Sequence, residues 1–218
     1  MARRFELIVF DWDGTLMDSA AAIVRAIQNA SHDLGVMPPS EERARHVIGL
    51  GLQDALRAAL PQLDPARYDE MAQRYRHHYL SHDHELVLFD GAYEMVETLA
   101  AAGYRLAVAT GKSRKGLQRA LEHSGLGNFF HATRCADECH SKPHPQMLLE
   151  LMDELGALPE QSLMIGDTTH DLLMARNAGV SALAVAYGAH PRSLLEAEAV
   201  LTCAADVAEL RAWLQAQS

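Results

Sequence analysis

Six polar residues stand just past apolar runs or in a short proline-containing loop, where chemistry could be carried out. They are Asp11, Asp13, Thr110, Lys142, Asp167 and Asp171. Carboxylates, one hydroxyl and one ammonium group suit a hard divalent cation bound through oxygen, with an anionic substrate oxygen beside it. A lone aspartate after a strand is usually a turn residue. Clustered carboxylates, by contrast, repel one another and lower the stability of the fold, so their presence indicates that they have a function.

The apolar runs before these residues are short and continuous, which is typical of strands buried on both faces of a parallel sheet. They cover residues 7–10, 106–109, 163–165 and 183–185, with a weaker run near 130–134. Helical patterns at 93–102, 116–124, 145–155 and 170–178 separate them, and each is followed by a glycine. The alternation predicts an α/β fold with a doubly wound, Rossmann-like parallel sheet. Such sheets bind ligands at the carboxyl ends of their strands, where the six residues are expected to meet.

The stretch after the first predicted strand is different, because it contains no strand-like run. Its pattern predicts four helices at 18–34, 40–47, 52–60 and 65–80, broken at glycines and prolines. A block of helices inserted here cannot extend the sheet. We therefore predict a separate helical domain at 18–87, called the insert below, and a core domain formed by 1–17 and 88–218.

Four segments together resemble the four motifs of the haloacid dehalogenase superfamily. They are Asp11-Trp-Asp-Gly-Thr15-Leu, Thr110, Lys142-Pro and Gly166-Asp-Thr-Thr-His-Asp171. Their order, spacing and strand contexts match the family, and the insert resembles the helical cap domain of its phosphoglycolate-phosphatase-like branch. The resemblance spans residue 5 to about residue 210. It implies a phosphatase that hydrolyses a small phosphomonoester, phosphoglycolate-like or a sugar phosphate.

The resemblance also implies roles for the residues that match the motifs. Asp11 is expected to attack phosphorus and form an aspartyl-phosphate, and Asp13 to act as general acid and then general base. Thr110, with Gly111 beside it, is expected to bind the phosphoryl oxygens. Lys142 is expected to neutralise the charge that develops on them.

One cofactor, Mg²⁺, is implied by the same resemblance. Its expected ligands are the carboxylates of Asp11 and Asp167 and the backbone carbonyl of Asp13. Asp171 is expected to lie behind them and to orient that shell, or Lys142.

Two nearby features favour ordinary structural interpretations. Asp18 and Ser19 open a predicted helix and are expected to cap it, and capping is an alternative for Asp171 as well. Gly111-Lys112-Ser113 imitates the end of a nucleotide-binding phosphate loop, but Leu106 stands where that loop needs its first glycine. We therefore interpret this segment as the beginning of a surface helix.

Several other functions were open to the same residues. A sugar-phosphate mutase uses the same four motifs and is the first alternative. A phospho-accepting signalling receiver would lack the insert, and a haloalkanoate dehalogenase would need neither Asp13 nor a metal. A phosphonatase would need a Schiff-base lysine in its cap, but residues 17–89 contain seven Arg and no Lys. A catalytically silent interaction protein is disfavoured because no catalytic position is substituted.

Composition limits the partners. The formal net charge of −10 argues against a nucleic-acid partner, and no apolar stretch approaches the roughly 18 residues needed to span a bilayer. We therefore expect a cytoplasmic protein, with a monomer as the default, and the family resemblance implies a small phosphorylated metabolite as its substrate. In the insert, a loop at Gly49-Leu-Gly51 could approach the site, and we predict that Arg45 or Gln53 contacts the non-phosphate end of the substrate. Solvated helix-face charge is the alternative interpretation of the arginine.

Overall fold

The computed structural model describes residues 4–217. Six parallel strands form one sheet: β1 (Leu7–Phe10), β2 (Arg105–Thr110), β3 (Ala132–Cys135), β4 (Ser162–Gly166), β5 (Ser181–Val185) and β6 (Cys203–Ala204). Their spatial order is β3-β2-β1-β4-β5-β6. This order confirms the predicted α/β, Rossmann-like sheet. It reverses between β1 and β4, the switch point where open parallel sheets bind ligands.

Ten α-helices surround the sheet or form the insert within the described residues. They are α1 (Ala20–Asp33), α2 (Glu41–His46), α3 (Leu52–Ala59), α4 (Tyr68–Leu80), α5 (Ala92–Ala101), α6 (Arg114–Ser124), α7 (Gln146–Leu155), α8 (Thr169–Asn177), α9 (Arg192–Glu196) and α10 (Val207–Gln215). Ile8 and Phe10 of β1 face a hydrophobic cluster with α5, α6 and α10, whereas Leu7 and Val9 face one with α7, α8 and α9. Because both faces are covered, β1 is apolar at every position.

Helix ends in the core follow the glycines that the sequence pattern indicated. Gly125 ends α6 and Gly156 ends α7, both in the left-handed conformation with φ of 73° and 62°. The prediction assigned no element after residue 185, and there it missed α9, β6 and α10. The first two have five and two residues, too short for a periodic signal, although α10 does carry helical apolar spacing. Across residues 4–217, no helix has the length and apolar character needed to cross a membrane.

The insert has a hydrophobic cluster of its own, to which α1, α2, α3 and α4 all contribute. Ile27, Leu56 and Met71 lie at its centre and are almost fully buried. Burying each of them stabilises this cluster by roughly 2 kcal/mol. The two chain connections to the core run side by side, because Met17 forms an antiparallel bridge with Leu88. The predicted boundaries at 17–18 and 87–88 coincide with this pairing, although the division into two domains stays a prediction.

Candidate active site

Asp11 follows β1 directly, at the switch point of the sheet. Its amide donates a hydrogen bond to the Ile165 carbonyl at 2.9 Å, and its side chain is 1% exposed. Oδ1 accepts a hydrogen bond from Lys142 Nζ at 2.7 Å, whereas Oδ2 is buried with no partner among the described residues. Burial raises the pKa of the Asp11 carboxyl well above its ordinary range, against the opposing effect of Lys142.

Lys142 is a buried ammonium group that joins two carboxylates. Its Nζ donates to Asp11 Oδ1 at 2.7 Å and to Asp171 Oδ1 at 2.6 Å. Burial alone would lower the pKa of Lys142, but the two carboxylates outweigh it and raise the pKa. Asp171 Oδ2 accepts from the amide and hydroxyl of Thr168 at 3.1 and 2.7 Å. Asp171 therefore caps α8 and holds Lys142 at the same time, so both interpretations of this residue describe real contacts.

Asp167 comes directly after β4 and is packed between two glycines. Its Oδ1 accepts from the Thr15 hydroxyl at 2.9 Å and its Oδ2 from the Ala189 amide at 2.7 Å. A Cβ on Gly14 or Gly188 would lie 2.1 or 2.2 Å from Oδ2, so only glycine permits this approach. Burial, with a smaller contribution from a neighbouring carboxylate, raises the pKa of Asp167 to about 7. The sequence analysis did not single out Gly188, because a glycine in a loop after a strand is not distinctive.

The donor set fits a hard divalent metal ion. One oxygen from each of Asp11, Asp167 and Asp171 lies within 4.8 Å of the others. Four carboxylates on this edge face two ammonium groups, an excess of two negative charges when all are ionised. A divalent cation would balance that excess of negative charge and would be coordinated by Oδ2 of Asp11, which has no other partner among the described residues. Both oxygens of Asp171 are already engaged by Lys142 and Thr168, so Asp171 is better placed behind a metal than on it.

Asp13 lies apart from that cluster and has different partners. Its Oδ1 accepts a hydrogen bond from Ser19 Oγ at 2.6 Å and forms an ion pair with Lys112 Nζ at 3.0 Å. Ser19 is the N-cap residue of α1, yet it makes no capping hydrogen bond, and Asp18 is exposed. The capping prediction for Asp18 and Ser19 is therefore wrong, because the Ser19 hydroxyl is engaged by Asp13. That the Asp13 carbonyl binds a metal stays a prediction.

The Gly111-Lys112-Ser113 segment leads into a surface helix, as predicted, but Lys112 itself lies before that helix. Helix α6 begins at Arg114 with Ser113 as its N-cap, which leaves Lys112 in the loop after β2. Its side chain is 11% exposed, and Nζ donates to the Tyr79 hydroxyl of α4 at 2.8 Å. Burial opposes the charge, but Asp13 and Tyr79 raise the pKa of Lys112. No local pattern in the sequence shows that α4 covers this loop.

Thr110 is the last residue of β2, and Gly111 follows it beneath the insert. Thr110 is fully buried, and its Oγ1 accepts from the Lys112 amide at 3.2 Å, which leaves the hydroxyl proton for a further acceptor. A Cβ on Gly111 would lie 2.5 Å from the carbonyl oxygen of Leu50 and 2.6 Å from that of Gly49. The glycine loop of the insert therefore touches the backbone at the end of β2, as the sequence analysis expected of its glycines.

Further contacts seat the insert on the core. The Gly51 amide donates to Ser141 Oγ at 2.8 Å, one residue before Lys142. The His46 carbonyl at the end of α2 accepts from Nε2 of His170 at 2.8 Å and from Nε2 of His190 at 3.1 Å. The arrangement described here is thus one in which the insert covers the site.

Comparison with known proteins decides which family has this fold and site. A family model described as haloacid dehalogenase-like hydrolase matches residues 8–185, more than half of the chain. The chain belongs to this family. Probable phosphatase IndB of Dickeya dadantii is 41% identical over 198 residues, covering 88% of this chain and 85% of that protein. Pyrophosphatase PpaX of Halalkalibacterium halodurans is 35% identical over 182 residues, 83% of each chain.

Solved structures share the fold over nearly the whole chain. A predicted phosphoglycolate phosphatase from Haemophilus somnus has a TM-score of 0.85 at 28% identity, with 96% of this chain and 98% of that chain covered. A hydrolase from Pseudomonas syringae, at 23% identity, shares the fold with a TM-score of 0.88 and 99% of both chains covered. The predicted family and enzyme class, a phosphatase of the haloacid dehalogenase-like hydrolases, are confirmed.

Two predicted substrate residues of this phosphatase have other partners. Gln53 Nε2 donates to Asp69 Oδ1 at 3.2 Å, and Arg45 Nε pairs with Glu41 Oε1 at 3.0 Å along α2. Both contacts lie within the insert and neither side chain is brought to the carboxylates. The loop between α2 and α3 approaches the site through its backbone instead. A substrate-reading role for Arg45 or Gln53 stays a prediction without support from this arrangement.

A cavity of about 410 Å³ lies between the insert and α6, beside Lys112. Trp12, Met17, Tyr79 and Leu86 are among its lining residues, whereas the reacting carboxylates are not. Trp12 fills the position between the two aspartates of the first motif, where it packs edge-on against Phe130. The volume of the cavity suits a small organic group, and Lys112, which pairs with Asp13, is part of its lining.

Proposed function

We propose that this protein is a magnesium-dependent phosphatase that hydrolyses a small phosphomonoester through an aspartyl-phosphate on Asp11. The environment of Asp11 carries the proposal: Lys142 holds one oxygen at 2.7 Å, and the other is buried without a partner. A buried carboxylate oxygen left in that state is costly unless it serves catalysis or binds a cation. Relatives named phosphatase and pyrophosphatase support the reaction class.

In the first step the Asp11 carboxylate attacks phosphorus. An oxygen–phosphorus bond forms as the bond from phosphorus to the leaving-group oxygen breaks, and Asp13 gives that oxygen a proton. Lys142 balances the negative charge of the phosphoryl oxygens. The free hydroxyl proton of Thr110 can be donated to one of them, because Oγ1 already accepts from Lys112.

In the second step the aspartyl-phosphate is hydrolysed. Asp13, now ionised, takes a proton from a water molecule whose oxygen attacks phosphorus. The bond between phosphorus and Asp11 breaks, which releases inorganic phosphate and restores both carboxyl groups to their starting states. One residue thus serves as acid and then as base.

Mg²⁺ would be held by the carboxylates of Asp11 and Asp167 and the backbone carbonyl of Asp13, with Asp171 behind them. When bound, it supplies positive charge against the carboxylates and the phosphoryl oxygens. Burial and neighbouring carboxylates raise the pKa of both Asp11 and Asp167, so negative charge is unfavourable here, and a bound cation would relieve this.

The position of the insert favours a small substrate. Its glycine loop lies against Gly111, and its Tyr79 reaches Lys112 beside Asp13, so the site is covered on two sides. Closure of this kind excludes water during transfer and excludes phosphoproteins and nucleic acids by size. We propose a phosphoglycolate-like or sugar-phosphate substrate, a small metabolite, and a monomeric cytoplasmic enzyme.

Asp11→Asn tests the mechanism, because it keeps the size of the side chain and removes the attacking negative charge. Phosphate release from a panel of phosphomonoesters with Mg²⁺ is expected to fall by roughly 10⁴-fold or more, with an unchanged circular dichroism spectrum. Asp18→Asn, on an exposed aspartate of the same segment, is the matched control and is expected to remain fully active. Near wild-type turnover by Asp11→Asn would rule out the aspartyl-phosphate.

Inorganic pyrophosphate is a second candidate substrate, because one relative at 35% identity is named a pyrophosphatase. Comparing kcat/KM for pyrophosphate with that for phosphoglycolate and hexose phosphates distinguishes the two classes. A sugar-phosphate mutase, the alternative from the motifs, would convert one sugar phosphate into its isomer without net release of phosphate. Product analysis by phosphorus NMR separates that outcome from hydrolysis.

A further inference from the structure

The acid–base carboxylate of the proposed mechanism is held by a chain of contacts that runs from the core to the insert. Asp13 Oδ1 accepts from Ser19 Oγ at 2.6 Å and pairs with Lys112 Nζ at 3.0 Å. Lys112 Nζ in turn donates to Tyr79 Oη on α4 at 2.8 Å and lies 4.8 Å from the centre of that ring. The Tyr79 ring stacks on Tyr75, one helical turn earlier, at 5.8 Å.

We infer that Lys112 is a positioning residue that orients the Asp13 carboxylate for proton transfer, and that Tyr79 makes this orientation depend on the seated insert. The inference rests on the proposed phosphatase mechanism and assigns it a residue outside the family motifs quoted above. It also gives a function to Lys112 in the Gly111-Lys112-Ser113 segment, which lacks the first glycine of a nucleotide-binding loop.

The geometry explains how an ammonium group can orient a carboxylate. Two donors on Oδ1 restrict rotation of the Asp13 carboxylate about its last torsion angle. Oδ2 accepts no hydrogen bond from the residues that the structure describes, so it is the oxygen left to exchange a proton with the substrate. A proton donor in a poor orientation loses most of its catalytic effect, because transfer needs direct hydrogen-bond reach.

The contact with Tyr79 couples this orientation to the insert. Among the described residues, the Lys112 ammonium group has two polar side-chain partners, Asp13 and Tyr79, and Tyr79 is on the insert. If the insert swings away, the Tyr79 hydroxyl leaves and the ammonium group is freed to turn toward water. Asp13 would then be fully oriented only when substrate is enclosed, which keeps the acid–base group from acting in an open site.

The role of Lys112 can be tested by comparing substrates whose leaving groups differ in basicity, which requires no pKa value for any residue of the protein. A leaving oxygen that is strongly basic, as in an alkyl phosphate, needs a proton as it departs, whereas 2,4-dinitrophenolate does not. The ratio kcat/KM covers only the steps up to the first irreversible one, transfer to Asp11. A residue that positions Asp13 therefore matters for alkyl phosphates and matters little for 2,4-dinitrophenyl phosphate.

Lys112→Met is expected to lower kcat/KM about 100-fold for alkyl phosphates and less than about fivefold for 2,4-dinitrophenyl phosphate. Lys112→Arg retains the charge and is expected to restore part of the alkyl phosphate activity. Lys115→Met, an exposed lysine of α6, is the matched control and is expected to behave like the wild type. Equal losses on both substrates, or no loss on either, would show that Lys112 does not position Asp13.

A double-mutant cycle shows whether Lys112 acts through Asp13. Asp13→Asn removes the proton donor, so adding Lys112→Met to it is expected to cost no further alkyl phosphate activity. A further tenfold loss in that background would mean that Lys112 acts on another group.

Tyr79→Phe keeps the ring and removes only the hydroxyl, so it tests the coupling even where Lys112→Met fails to fold. We expect a loss of about three- to tenfold, again confined to poor leaving groups. An unchanged leaving-group dependence would refute the link to the insert. If Asp11→Asn stays active, the proposed phosphatase mechanism is wrong. If Asp11→Asn is inactive but Lys112→Met and Tyr79→Phe leave the leaving-group dependence unchanged, only the positioning role of Lys112 is wrong.

Discussion

Two lysines lie at the same edge of the sheet and differ in what holds them. Lys142 pairs with Asp11 and Asp171 at 2.7 and 2.6 Å, and all three side chains are 1% exposed or less. Lys112 pairs with Asp13 at 3.0 Å, is 11% exposed, and also depends on Tyr79 of the insert. The first lysine belongs wholly to the core, whereas the second joins the core to the insert.

The difference separates two tasks of the same site. The nucleophile, its lysine and the carboxylates proposed to bind Mg²⁺ are hydrogen-bonded to one another and to other residues of the core. The acid–base carboxylate is held partly by the insert, whose two connections to the core run side by side at Met17 and Leu88. Phosphoryl binding is thus preorganised, and proton transfer is conditional on closure.

The largest expected effect comes from substituting Lys142, the lysine that is held by the core alone. Lys142→Met removes the charge that balances the phosphoryl group, so kcat/KM is expected to fall roughly 10³-fold. The loss is expected to be similar for alkyl and dinitrophenyl phosphates, because charge neutralisation does not depend on the leaving group. Initial rates across the same substrate series measure it. A loss confined to alkyl phosphates would erase the distinction between the two lysines.

The next effect concerns the seat of the insert on the core. A Cβ at Gly111 would lie 2.5 Å from the Leu50 carbonyl oxygen, so Gly111→Ala pushes the glycine loop outward. We expect kcat/KM for alkyl phosphates to fall about 30-fold, because closure and proton transfer both suffer. Gly127→Ala is the control, since a Cβ there meets only Leu121 at 3.7 Å. Wild-type kinetics for Gly111→Ala would mean that the loop need not touch the end of β2.

The sequence predicted the core half of the site better than the insert half. Asp11, Lys142 and Asp167 follow strands or stand in a motif loop, and strand ends of a parallel sheet meet by topology. The partners of Lys112 could not be inferred in this way, because its contact with Tyr79 depends on how a separate helical cluster packs onto the core. Ser19 was mispredicted for a different reason, because a contact with Asp13, six residues earlier in the chain, takes its hydroxyl group away from the helix end.

A smaller effect concerns the metal and its dependence on pH. Burial raises the pKa of Asp167 to about 7, so below that pH a bound proton competes with the cation. Mg²⁺ affinity is expected to weaken about tenfold for each unit that the pH falls below 7, with release of about one proton per ion bound. Calorimetry in two buffers of different ionisation enthalpy measures both quantities. Lys112→Met is expected to leave this affinity unchanged, whereas Asp167→Asn should abolish it.

The raised pKa of Asp167 also determines how the stability of the metal-free protein changes with pH. In the unfolded chain this carboxyl ionises near 3.8, while the folded metal-free protein retains the proton to about 7. Stability of the metal-free protein should therefore decline as pH rises through that window. Mg²⁺ relieves the repulsion, so its effect on Tm is expected to be larger at pH 8 than at pH 5.5. The reverse order would place the metal away from Asp167.

The smallest expected effect concerns the side chains of the insert that the sequence analysis nominated. Arg45 pairs with Glu41 and Gln53 donates to Asp69, so each is engaged at the surface of the insert. If the insert acts through Tyr79 and its glycine loop, Arg45→Ala and Gln53→Ala should each change kcat/KM less than about threefold, because exposed pairs contribute little. The measurement compares the best small substrate with a generic aryl phosphate. A large loss on the small substrate alone would show that these side chains leave their partners to read the leaving group, and that the insert contributes specificity as well as closure.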